Sequence, residues 1–65
     1  MISADKIIRI LQKKGFFVVR QSGSYIIFKN ENGIRITVPH HPKTILHPKI
    51  VKSIMRDAEL NDDDF

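Results

Sequence analysis

The sequence contains no cysteine, so neither a disulfide framework nor a thiolate zinc site can supplement the core of a 65-residue chain. No apolar run approaches the length of a membrane span. Met1-Ile2-Ser3-Ala4-Asp5 also lacks the basic-then-apolar order of an export signal, so a cytoplasmic chain with no membrane partner is expected. Carboxylates are scarce before residue 57, where only Asp5 and Glu31 occur. A two-metal nuclease needs acids converging from several elements, and these two fall in a helix start and a turn. His40, His41 and His47 show no tetrahedral spacing, and adjacent histidines point apart. The expectation is no metal and no small-molecule cofactor.

The positive charge is what remains. The formal net charge is +4, but Asp57, Glu59, Asp62, Asp63 and Asp64 hold five of the seven acids, and residues 1–56 carry eleven bases against two acids. That body, at +9, attracts polyanions, and nucleic acid is the most abundant of them. Solubility alone is the plainer reason for such a balance.

One domain over residues 1–65 is expected, with a small core. Ser3 is placed to cap a helix over residues 4–14, with Ala4, Ile7, Ile8 and Leu11 on one arc and Lys6, Arg9 and Lys13 on the other. A charged stripe of this kind ordinarily serves as a solvated face. Gly15 stands where a left-handed cap ends such a helix. Phe16-Phe17-Val18-Val19 predicts a first strand, with either face open to the core. A second strand follows Ser22-Gly23, in which Ser24, Ile26 and Phe28 oppose Tyr25, Ile27 and Lys29. After a turn at residues 30–33, Ile34, Ile36 and Val38 oppose Arg35 and Thr37 in a third.

Beyond Pro39 a loop should bring Ile45 and Leu46 against the edge of the core. Pro48 opens a second helix at its first position, where the missing N–H does no harm. Ile50, Val51, Ile54, Met55 and Ala58 are expected inside it, and Lys49, Lys52, Ser53 and Arg56 outside. Asn61 is suited to cap a last turn over residues 62–64, with Leu60 or Phe65 returning to the core. The fold class is α+β: α-β-β-β-α, a three-stranded antiparallel sheet with both helices on one face.

Gly15-Phe16, Arg20-Gln21, Gly23-Ser24, Phe28, Asn32-Gly33, Thr37-Val38-Pro39, His41, Lys43 and Ile54-Met55-Arg56-Asp57-Ala58 with Leu60 follow one another in an order and spacing that resembles the HicA family of small toxins. The resemblance spans nearly the whole chain. It implies a fold similar to the double-stranded RNA-binding domain. It also implies a metal-independent endoribonuclease acting on messenger RNA, an mRNA interferase of a type II toxin–antitoxin system, neutralised by a HicB-type antitoxin.

One departure falls at the family's catalytic histidine, which follows a glycine and a small residue as Gly-Ser-His, whereas this chain has Gly23-Ser24-Tyr25. An ordinary phenol ionises near pH 10, leaving about 0.1% phenolate at pH 7, and replaces imidazole poorly as a base. Three explanations stay open: a natural member with lost or rerouted activity, a substitution that makes a toxin tolerable to its host, or a phenol activated by Arg35 or a nearby lysine. The resemblance leaves His41, after the Val-Pro, as the surviving general acid or base. Lys49 and Glu59 also stand where family members usually carry glycine; Pro48 can substitute for the first, and Asn61 is expected to end the helix later.

The expected catalytic pair is therefore Tyr25 and His41, with Arg20, Ser24, Lys29, Arg35, Lys43, Lys49, Lys52 and Arg56 contacting RNA. Two alternatives accompany it. One is a non-catalytic RNA-binding module whose second helix grips phosphates, and the other an interaction protein whose basic face meets an acidic antitoxin.

Overall fold

The computed structural model describes residues 2–40 and 44–65. Strand β1 (Ile2–Ser3) leads into helix α1 (Ala4–Lys13), followed by strands β2 (Phe17–Ser22), β3 (Tyr25–Lys29), β4 (Arg35–Pro39) and β5 (Ile45–Leu46), helix α2 (Pro48–Asp57) and a 3₁₀ turn at Asp62–Asp64. The order β2-β3-β4 forms the expected antiparallel meander. A second ladder was not foreseen: β1 pairs with β5, Ile2 opposite Leu46 and Ser3 opposite Ile45. Two-residue strands show no readable alternation, which is why the sequence pattern passed over them.

The Ser3 hydroxyl accepts the Lys6 N–H at 3.1 Å and starts α1. At the other end the Gly15 N–H reaches Gln12 O and the Phe16 N–H reaches Leu11 O, with Gly15 at φ +91°. This pair of bonds closes the helix and drives Phe16 into the core, 4% exposed. Phe16 is thus a core residue of the cap, and the strand begins one residue later than expected. The buried arc of α1 is Ala4, Ile7, Ile10 and Leu11, with Ile8 only partly covered. The arc is turned toward Ile10 because residues Asp64 and Phe65 lie along that side.

Between β3 and β4 the Asn30 side chain holds the turn, its Oδ1 accepting the N–H groups of Asn32 (3.1 Å) and Ile34 (2.9 Å). At α2 the His47 ring Nδ1 accepts the Lys49 N–H at 3.1 Å, so this histidine is a cap with Pro48 behind it. Val51, Ile54 and Ala58 are buried. Ile50 and Ile45, both expected inside, are exposed at 38% and 50%. Ile45 alternates with Leu46, so a strand pairing that buries one turns the other out.

Helix α2 ends at Asp57 with Ala58 as its C-cap, and Asn61 does not extend it. Glu59 takes a left-handed φ of +59°, its N–H bonding Arg56 O, while the Leu60 N–H bonds Met55 O. That arrangement buries Leu60 and leaves Phe65 36% exposed. Asn61 caps the following 3₁₀ turn instead.

One cluster collects Ile7, Leu11, Phe28, Ile36, Val38, Val51 and Ile54 from both helices and one side of β3 and β4. Both helices therefore cover the same face of the sheet. The shortest extent of the chain, 17 Å, is a two-layer depth.

Candidate nucleic-acid interface

Cross-strand partners in an antiparallel ladder share a face, so the register defines the uncovered side of the sheet. Its first row is Ser22, Tyr25 and Pro39; the next is Arg20, Ile27 and Thr37; the last is Phe17, Lys29 and Arg35. A bulge between Val18 and Arg20 shifts the ladder by one residue, which places both Phe17 and Arg20 on this face. Tyr25 and Phe17 are each 51% exposed. Arg20, Lys29 and Arg35 are exposed as well. No residue of these rows is a carboxylate.

The sheet separates residues that the sequence grouped. Tyr25 and Arg35 lie at opposite ends of the β3–β4 ladder, four residues apart, about 13 Å at about 3.3 Å per residue. Activation of the phenol by Arg35 is incompatible with that register. Arg20, on the diagonal from Tyr25, is the nearer cation.

Arg35 instead joins the groove between β4 and α2, lined by Thr37, Lys49, Ser53 and Asp57 with Ile36, Ile50 and Ile54. Lys49 thus shares a cleft with a sheet residue. Lys52 borders a different, apolar groove with Ile2, Leu46, Pro48, Val51 and Met55. Arg56 lies out in solvent beside Asp57 at 3.5 Å, an exposed pair of little energetic weight. Ser24 is half-buried, and its carbonyl accepts the His40 N–H at 2.6 Å. His41 and Lys43 lie outside the described residues.

Two residues were missed. Phe17 adds a second aromatic to the open face, invisible without the register that the bulge sets. His40 sits against the Gly23-Ser24-Tyr25 turn through its backbone, and its Nε2 lies 2.8 Å from Asp5 Oδ1 on the first turn of α1. Asp5 is one of only two acids before residue 57, which is the signal that could have matched it with a histidine. Among the described residues, no three His, Cys, Asp or Glu side chains gather to hold a metal ion.

The arrangement is an acid-free platform with two aromatic rings and three cations, flanked at the Tyr25 end by an imidazole–carboxylate pair. Such a surface can neutralise phosphates and stack bases. The model of the family described as HicA toxin of bacterial toxin-antitoxin matches residues 4–60. No curated protein matches the chain.

Proposed function

The chain belongs to the HicA family, the toxins of bacterial toxin–antitoxin pairs, and from that premise we propose that it acts on RNA through the open face of β2-β3-β4. The observation that carries this reading is the placement of Arg20, Lys29 and Arg35 with Tyr25 and Phe17 on one face without a carboxylate. Single-stranded RNA needs both components, cations along its backbone and flat side chains under its bases.

Tyr25 stands where the resemblance places a catalytic histidine. Metal-free cleavage needs a base for the 2′-hydroxyl, an acid for the leaving oxygen and a cation for the phosphorane. Arg20 is close enough by register to supply the last. A phenol serves the first poorly, so this chain holds RNA more readily than it cuts it. The expected outcome of Tyr25→His is RNA cleavage and host toxicity well above those of the starting protein. Unchanged cleavage by purified Tyr25→His at equal RNA affinity would remove this position from the site, and failure of either protein to retain RNA at low salt would end the RNA reading.

An antitoxin partner follows from the family in general; we take it to be of HicB type and acidic. Edge strand β2, with Phe17, Val18 and Val19 at 40–51% exposure, gives such a partner both unpaired backbone and apolar contact beside the RNA face. One protein laid there silences the toxin by covering it.

A further inference from the structure

The acidic segment 62–64 folds back onto the basic side of α1. Asp64 Oδ1 lies 3.3 Å from Lys14 Nζ, and a groove is lined by Lys6, Arg9 and Lys13 with Ile10 beneath and Asp64 and Phe65 at its rim. Lys6, Arg9 and Lys13 are spaced three and four residues apart, so they form one row along the helix surface. None has an ion-pair partner among the described residues. Asp5, the only acid of α1, is turned to His40.

The position of the acids is fixed by the backbone. Asn61 Oδ1 accepts the Asp63 N–H while Asp64 Oδ2 accepts the Asn61 N–H at 2.9 Å. This reciprocal cap holds Asp62, Asp63 and Asp64 in one turn at the end of the cationic row. Cap and ion pair also keep the Asp64 carboxyl below its ordinary pKa, the Asn61 N–H contributing most.

We propose that the Lys6–Arg9–Lys13 row is a second phosphate-binding surface, separate from the sheet face, and that the 62–64 turn is a built-in anionic shield that weakens it. The inference rests on the RNA reading above and extends it. The Asp64 carboxylate at the rim of the groove, with Asp62 and Asp63 in the same turn, repels a phosphodiester backbone crossing α1, so the segment lowers affinity without touching the open face of the sheet. The sheet sets where the strand lies, and α1 sets how tightly a longer strand is held.

The test is binding of a labelled single-stranded RNA to the full chain and to five variants with unchanged thermal midpoints, R20Q/R35Q among them. D62N/D63N/D64N removes the charges while an asparagine at 64 can still accept the Asn61 N–H; its expected affinity is about fivefold or more above the starting protein at low salt, with the gain vanishing at high salt. K6Q/R9Q/K13Q is expected to bind about tenfold more weakly, and K6R/R9K/K13R to bind as the starting protein does. With all six positions neutralised, the shield has nothing to cover and its effect should disappear.

If K6Q/R9Q/K13Q binds RNA as well as the starting protein while R20Q/R35Q does not, the second surface is wrong and the sheet reading stands. If removing the aspartates helps equally with the row absent, the shield is wrong. If the row matters only for capture of an acidic protein, the ligand is wrong. Absence of RNA binding by every variant at low salt overturns this inference and the sheet reading together.

Discussion

Glu59 is the one non-glycine among the described residues with a left-handed φ, +59°, and it has that conformation because two backbone bonds need it: its own N–H to Arg56 O and that of Leu60 to Met55 O. A side chain in this region costs about 1–2 kcal/mol, partly offset in glycine by the freedom it loses on folding. Glu59→Gly is therefore expected to stabilise the fold by about 0.5–1 kcal/mol, which denaturant titration reads as a higher midpoint at unchanged slope. The family resemblance pointed to this residue as one usually glycine, and the backbone supplies the reason. Phe17 is the opposite case, a large apolar side chain left 51% exposed on an edge strand. Its exposure contributes nothing to the core, so Phe17→Ala should leave the thermal midpoint nearly unchanged while weakening RNA binding by about 1–3 kcal/mol, the worth of a stacked base. Equal binding by Phe17→Ala would take the ring out of the interface.

Among the elements, those with clear periodicity were legible and those held by backbone bonds were not. Phe28, Ile36 and Val38 alternate with Tyr25, Lys29, Arg35 and Thr37, and the inward set is the one the sequence indicates. The face of β2 was not legible, because both of its alternating sets are apolar and a bulge changes the phase midway. The same limit applies to β1 and β5, whose pairing joins residues far apart in the chain. Of the site, the cations and Tyr25 could be named from the sequence, but the distance between Tyr25 and Arg35 depends on hairpin register. The 3₁₀ turn at Asp62–Asp64 was legible through Asn61, and it makes a pH-dependent element. Asp64 has its pKa lowered, first by the Asn61 N–H and then by Lys14. A depressed carboxyl stabilises the folded form above the ordinary aspartate value of 3.8 and loses that contribution as pH falls through the lowered value. The turn should therefore loosen in acid below about that value while α1 and the sheet persist. Amide exchange at Asn61 and Asp64, rising before exchange at Phe28, would show it; simultaneous loss would make the turn part of the global unit.

For the whole molecule, charge is divided between two regions, a body of +9 over residues 1–56 and five acids beyond it. A uniform distribution would give a salt dependence insensitive to which cation is removed. The structure instead sets Arg20, Lys29 and Arg35 in sheet rows that hold no carboxylate, Arg35 also bordering the groove that Asp57 lines, and leaves Arg56 on α2. Counterions accumulate on RNA, and each cation that neutralises a phosphate releases them. On a single strand the slope of log affinity against log salt therefore falls by about 0.7 for every phosphate the protein ceases to neutralise. Replacing Arg20, Lys29 and Arg35 together by glutamine should flatten that slope by about 2, whereas Arg56→Gln should leave it unchanged because that guanidinium is on α2, which packs on the covered face of the sheet. A flattening shared equally among all four positions would mean that RNA responds only to net charge. Dependence on the three sheet cations alone would instead locate the strand on β2-β3-β4, where an aromatic ring at either end of the platform can meet its bases.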